Sequence, residues 1–341
     1  MTSTEQLETP TARRSVRISG ISRIPQGIVL PLALVALVVA LAFFEPRFFS
    51  AANLANIARN ASYLAIVGTA QMLVIMLGGL DLSIGVTVAL SSVVTAITMS
   101  HGLAWWPENE VLTILFATTS ALGAAALVGL LNGMCIARLN ASAFMVTLGM
   151  FSVVGGIAFY LTAGIPIYGL VPEFIQGLGR GTVAGVPVAV LIAIAVVLTA
   201  YLVQNHTRFG RHLYAIGGNA HAARVSGVPT QLYTVIAYIV CSLLAGVAGI
   251  LITARIGAGQ ANLGSEYMLQ SIGAAVIAGV SLRGGVGRVE SLLLSSIFLT
   301  VFANAMNLSR IDSKIQTIVF GVVLLSAVML DRTKRGGGSN D

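Results

Sequence analysis

Long apolar blocks alternate with short polar gaps along the whole chain. A run of about 18 apolar residues crosses a hydrocarbon core of about 30 Å as a helix. Runs of that kind fall near residues 27–44, 58–77, 86–99, 111–136, 144–162, 188–204, 232–253, 268–280, 291–306 and 315–330. The run at 268–280 is short by membrane standards. The pattern predicts an all-α, polytopic helical membrane protein of about ten transmembrane helices with Gly-rich discontinuous segments. The stretch EPRFFSAANLANIARN at 45–60 is amphipathic and is expected to lie along an interface. The loop at 163–187 is Gly/Pro-rich and nearly uncharged, and Trp105 and Trp106 suit a headgroup-level anchor.

The longest polar interruption is RFGRHLYAIGGNAHAARVSGVPTQ, residues 208–231. Gly217 and Gly218 break it, and a short Ala-rich helix over 219–225 is expected after them. Asn219 suits its N-cap, because its side-chain oxygen can accept a free N–H of the first turn. Ser226 and Gly227 stop the helix, since glycine takes the left-handed exit conformation cheaply. A short helix outside the membrane, between two spans, does mechanical work only if another protein holds it.

Composition agrees with the pattern. Of the residues, 56% are hydrophobic and 9% charged, against about 25% charged in a soluble domain. The 37 glycines let membrane helices approach closely. Cys135 and Cys241 fall in or beside apolar runs and read as buried free thiols. Ten spans place both termini on one side. That side then carries Arg13, Arg14, Arg17, Arg23, Arg138, Arg208, Arg211, Arg224, Arg283, Arg288, Arg332, Lys334 and Arg335. The other side keeps Arg47, Arg59, Arg180, Arg255, Arg310 and Lys314. This bias puts both termini in the cytoplasm, and it explains the net charge of +7 without nucleic acid. The expected layout is a cytoplasmic tail at 1–26, a transmembrane domain at 27–331 with a cytoplasmic segment at 205–231, and a flexible tail at 332–341.

Two Gly-rich breaks echo each other. MLGGLDLSIG at 76–85 and IAGVSLRGGVG at 277–287 each follow an incoming span and precede an outgoing one. Interrupted hydrophobic segments in corresponding places point to a substrate path. The candidate residues are Gly78, Gly79, Asp81, Ser83 and Gly85 in the first break, and Ser281, Gly284 and Gly285 in the second. Asp81 costs about 2.5–3.5 kcal/mol at a span centre unless it faces protein, water or a partner. Within the membrane it would cap the next half-helix near the N–H groups of residues 83–85. At the cytoplasmic interface it would be an exposed cap. Substrate contact and proton coupling are further roles for it.

Enzyme chemistry is not legible. His101, His206, His212 and His221 form no metal-ligand pair at a sensible spacing. No GxxxxGK[ST] phosphate loop occurs, and AIGGNA lacks the GxGxxG pattern. No cofactor, metal or catalytic residue is expected.

Taken together, GGLDLSIG at 78–85, TLGMFSVVGGIAFYLTAGIPI at 147–167, RFGRHLYAIGGNAHAARVSGV at 208–228 and GAGQANLGSEYMLQSIGAAVIAGVSLRGGVGRV at 257–289 resemble the ribose-type sugar permeases. These are the inner-membrane subunits of bacterial ABC importers for monosaccharides. The resemblance covers residues 27–332. It implies that the short helix docks on a separate cytoplasmic ABC ATPase subunit through Gly218, Asn219, Ala222, Ala223, Ser226 and Gly227. It also implies a periplasmic sugar-binding protein, which delivers sugar to the loops at 163–187 and 256–267. A second permease copy or close paralogue would complete the pore, within the membrane lipid. Arg283 departs from the family's usual small residue. The spans offer few aromatic platforms or carboxylates, so weak sugar binding by the permease itself is expected. Two other readings remain: an importer of the same architecture for a non-sugar solute, and an ion-coupled secondary transporter.

Overall fold

The structure is a computed structural model and describes residues 26–322 and residue 325. Apart from Gln26, the tails expected at 1–26 and 332–341 lie outside those residues, as does most of the end of the last apolar run.

Helix α1 (Gln26–Phe44) leads through a 3₁₀ turn, Pro46–Phe49, into α2 (Ala51–Met76). Then come α3 (Ile84–Trp105), α4 (Glu110–Arg138) and α5 (Ala143–Thr162). The Gly/Pro-rich loop has structure of its own. It holds the single turn α6 (Pro172–Phe174), a wider π turn over Ile175–Arg180, and a hairpin of β1 (Thr182–Val183) and β2 (Val186–Pro187). Helix α7 (Val188–His206) leads to the polar interruption, which folds as α8 (Arg208–Gly218) and α9 (Ala220–Val225). Helices α10 (Thr230–Ile256), α11 (Ser265–Ile277) and α12 (Val289–Leu308) follow, and residues 313–322 are helical. Among the described residues, six helices (α3, α4, α5, α7, α10 and α12) are long and apolar enough to cross a membrane. The protein is therefore an all-α, polytopic membrane protein.

Helix α2 is the axis. It is buried without a break from Ala61 to Met76, and α7, α10, α11 and α12 pack around it. The outer helices turn apolar side chains outward, as Met145, Val153 and Tyr160 of α5 do. In a bilayer that surface meets lipid and needs no polar cover.

Most of the stretch at 45–60 is no separate element, because α2 begins at Ala51 and continues to Met76. Ser50 caps it by accepting the Asn53 N–H at 3.3 Å. The Asn53 and Asn304 amides exchange hydrogen bonds of 3.1 and 2.8 Å between α2 and α12. Those bonds satisfy polar groups that gave the stretch its amphipathic look. Helix α3 solves the same problem internally. Thr87, Ser91 and Thr95 are buried, and each hydroxyl donates to the carbonyl four residues earlier, at 2.9, 2.8 and 2.6 Å. Such back-bonding lets hydroxyls sit among apolar neighbours without a partner helix.

Helices α4 and α10 approach backbone to backbone. A Cβ added at Gly129 would lie 2.5 Å from the Tyr238 carbonyl oxygen and 2.7 Å from the Ile239 Cα. Gly129→Leu is therefore expected to destabilise the bundle by about 1–3 kcal/mol or more. Chemical denaturation in mild detergent measures this against Gly123→Leu, whose added Cβ would meet nothing within 4 Å.

Candidate functional site

The first break starts where α2 ends. Leu77 closes the helix, and Gly78 turns the chain at φ +81°. Residues 79–81 then climb back beside α2. The Gln71 side-chain amide pairs with the Asp81 backbone, donating to its carbonyl at 3.1 Å and accepting its N–H at 3.3 Å. The Asp81 carboxylate is fully buried and accepts from the Ser83 N–H at 2.8 Å and the Ser83 hydroxyl at 2.6 Å. Asn132 of α4 donates to the Ser83 hydroxyl at 2.9 Å, and the Cys241 thiol of α10 points at Asp81 at 3.7 Å. Thr147 of α5 and Tyr238 of α10 both donate to the Leu80 carbonyl, at 3.2 and 3.4 Å. Four helices, α2, α4, α5 and α10, thus hold this break. Asn132 lies about 9 Å inside the end of α4, at 1.5 Å per residue. Asp81 is accordingly held inside the protein, and it bonds Ser83, the residue before α3, rather than the N–H groups of residues 84 and 85.

The second break is held by backbone. Helix α11 ends at Ile277, and Gly279, Gly284 and Gly285 all take positive φ, at +80°, +92° and +73°. Ser281 N–H donates to the Val286 carbonyl at 2.9 Å, and Gly284 N–H returns to the Ser281 carbonyl at 2.9 Å. Gly285 N–H donates to the Met76 carbonyl at 2.9 Å, which satisfies the end of α2. The two breaks therefore touch.

The last turn of α8 joins them. A Cβ on Gly217 would collide with the Met76 carbonyl and the Gly285 N–H. A Cβ on Gly284 would lie 2.8 Å from both the Gly217 carbonyl and the Gly78 nitrogen. Three glycine segments, at 78–79, 217–218 and 284–285, form one backbone junction. A side-chain latch adds to it. Gln204, buried at the foot of α7, donates to the Gly287 carbonyl at 2.7 Å and accepts the Val289 N–H at 3.2 Å. Tyr214 of α8 donates to the same Gly287 carbonyl at 2.6 Å. Burial raises the Tyr214 phenol above its ordinary pKa, so it stays a donor. Neither residue was singled out in the sequence, although a glutamine closing an apolar run was the available signal.

Beyond the junction, Asn219 leaves helical geometry at φ −158° and caps α9, accepting the Ala222 N–H at 2.9 Å. Gly227 ends the segment at φ +84°. Gly218, Asn219, Ala222, Ser226 and Gly227 are exposed. Ala223, expected on the docking face, is instead buried at 5% exposure, because its side of α9 turns toward the body of the protein. Val225, not anticipated, is 76% exposed at the tip. The polar interruption was also read as broken at its glycines, whereas α8 runs through them to Gly218.

Gly217→Ala is expected to destabilise the protein by about 1–3 kcal/mol, as other overpacking does. Gly218→Ala, whose Cβ would meet nothing within 4 Å, is expected to be near neutral. The melting temperatures of the two purified variants check this contrast.

A family model described as the branched-chain amino acid transport system permease component matches residues 53–328. The chain is 35% identical over 307 residues to the ribose import permease protein of Escherichia coli K12, covering 89% of this chain and 93% of that protein. It is 33% identical over 332 residues to the ribose import permease protein of Bacillus subtilis 168, covering 97% and 99%. The L-arabinose transport system permease protein of Escherichia coli K12 is 31% identical over 299 residues, covering 88% of each chain. No solved structure matches.

Proposed function

Since the chain belongs to the family of branched-chain amino acid transport system permease components, we propose that it is the membrane permease subunit of an ATP-driven importer for a monosaccharide. The observation that carries the sugar is the near full-length match to relatives named for ribose and arabinose. The family description names amino acids, which keeps a non-sugar solute as the second reading.

In this proposal the chain crosses the bacterial inner membrane ten times, through α1, α2, α3, α4, α5, α7, α10, α11, α12 and the helix beginning at 313. Both termini and the segment at 205–231 are cytoplasmic. The permease domain is 27–331, and it hydrolyses nothing itself. A separate ABC ATPase holds α9 through Gly218, Asn219, Ala222, Ser226 and Gly227, with Val225 as the apolar anchor. Ala223 seats the helix from inside. A periplasmic binding protein presents the sugar to the loops at 163–187 and 256–267, and a second permease chain closes the pore. When the ATPases close, α9 and α8 are displaced. The load reaches the two breaks through the Gly217 junction, and the flanking helices rock to give alternating access. Gly78, Gly79, Asp81, Ser83, Gly85, Ser281, Gly284 and Gly285 serve in this reading as the helix breaks about which the motion occurs.

Val225→Asp is expected to weaken ATPase capture at least about tenfold, the scale of a buried interface anchor, while leaving the permease folded. Mild-detergent purification from the native host, with the co-eluting proteins identified by mass, measures it. Retention of the ATPase by a folded Val225→Asp chain would overturn the docking assignment.

A further inference from the structure

A groove with a volume of about 750 Å³ runs between α2, α7 and α12. Apart from Ser62, Tyr201 and Glu290, every residue lining it is Ala, Val, Leu or Ile. Its floor is made of short side chains. Ala58, Ala61 and Ala65 stand three and four residues apart on one face of α2, and Ala193 of α7 faces the same space. Ser62 lies among them, but its hydroxyl is spent on the Ala58 carbonyl at 2.7 Å. Longer side chains such as Leu198 and Leu294 form the walls. Along α7 the lining runs from Val190 to Tyr201, about 16 Å at 1.5 Å per residue. One leaflet of a hydrocarbon core of about 30 Å is about 15 Å deep. Helices α7 and α12 are both long and apolar enough to cross a membrane, and only 17% of the apolar stretch of α7 is buried within the chain.

At one end the groove adjoins a polar cavity of about 450 Å³ beside the second break. Glu290, in the first turn of α12, lines both. On α7 the same change occurs: Tyr201 lines the groove, and Asn205, one turn on, lines the polar cavity. The two changes lie at one level, because Gln204 of α7 accepts the Val289 N–H at 3.2 Å. Tyr214, Arg288 and the backbone at 285–287 complete the polar cavity. Arg288 and Glu290 are exposed, and among the described residues neither side chain has an ion pair or a hydrogen bond. The charges of both act on the Tyr214 hydroxyl, so they share one space.

We propose that this is a binding site for one phospholipid with a zwitterionic, ammonium-bearing headgroup. An acyl chain lies in the groove between α2, α7 and α12, and the headgroup lies in the polar cavity. Three observations point to lipid. The groove is apolar over the depth of one leaflet, it is continuous with a polar cavity at one end, and that cavity holds one free cation and one free anion. The headgroup phosphate can only accept hydrogen bonds, and Arg288 and the Asn205 amide supply donors. The ammonium can only donate, and the Glu290 carboxylate accepts. A headgroup with a negative charge alone would set Glu290 against a like charge, so the pair favours one that carries both signs. The alanines at 58, 61 and 65 leave the space that larger side chains would fill. The headgroup then sits beside the Gly287 carbonyl that Gln204 and Tyr214 hold. The proposal depends on the protein lying in a bilayer and not on what it transports.

The test is native mass spectrometry of the full chain, extracted in mild detergent, stripped of lipid and titrated with phosphatidylethanolamine or phosphatidylglycerol. Wild type is expected to take up a single phosphatidylethanolamine, several-fold more tightly than phosphatidylglycerol. Ala58→Phe, which fills the floor of the groove, is expected to weaken that uptake several-fold. Glu290→Gln changes an exposed side chain and leaves the fold intact. It is expected to abolish the preference between the two lipids while phosphatidylglycerol still binds. No single-lipid step, equal binding of the two lipids by wild type, or an undiminished preference in Glu290→Gln would overturn the proposal. Photo-cross-linking in native membranes, from a thiol-linked probe on Leu294→Cys, identifies the occupant of the groove directly. Wild type, with its own Cys135 and Cys241, gives the background. Cross-links to phospholipid are expected, and a cross-link to a second copy of the chain or to another polypeptide would overturn the proposal.

Discussion

The contact among Met76, Gly217 and Gly285 is the constraint on which the rest depends. It is backbone against backbone, with no side chain between. Two helix breaks and the end of α8 meet there, and only glycine at 217 lets them do so. The Gly285 N–H closes the open end of α2, so the contact also meets a hydrogen-bond requirement that lipid would leave unmet. Packing of this kind has little give. A displacement of α8 must move its neighbours or break a hydrogen bond.

The two breaks answer the cost of interrupted helices differently. The first is enclosed, and Asp81, Ser83, Asn132, Gln71 and Cys241 satisfy one another inside the bundle. The second is partly exposed and rests on turns of its own backbone plus Gln204 and Tyr214. A polar cavity of about 450 Å³ lies beside it, lined by Asn205, Tyr214, residues 285–288 and Glu290. The first is thus enclosed by side chains of the bundle, and the second is open on one side to that cavity.

Much of this was legible in the chain. The apolar blocks marked the helices, and the capping chemistry of Asn219 and Gly227 marked α9, because both are set by neighbouring residues. The first break was visible through its glycines and one carboxylate. Its burial was not, since that follows from Asn132 and Cys241, far away in sequence. Gln204 and Tyr214 were missed for the same reason: their partners are backbone atoms at 287 and 289. Ala223 was placed outward because nothing local fixes the rotation of a six-residue helix. Glu266 was placed in a loop, whereas α11 begins at Ser265 and carries it in its first turn.

The most direct test is a pair of experimental structures of the assembled complex, trapped with and without nucleotide. The account predicts that residues 76–79, 216–218 and 283–287 keep their mutual contacts, with Gly285 N–H still on the Met76 carbonyl, and shift together relative to α4. A coupling segment that moves while both breaks stay in place, or a junction that comes apart between the two states, would contradict it.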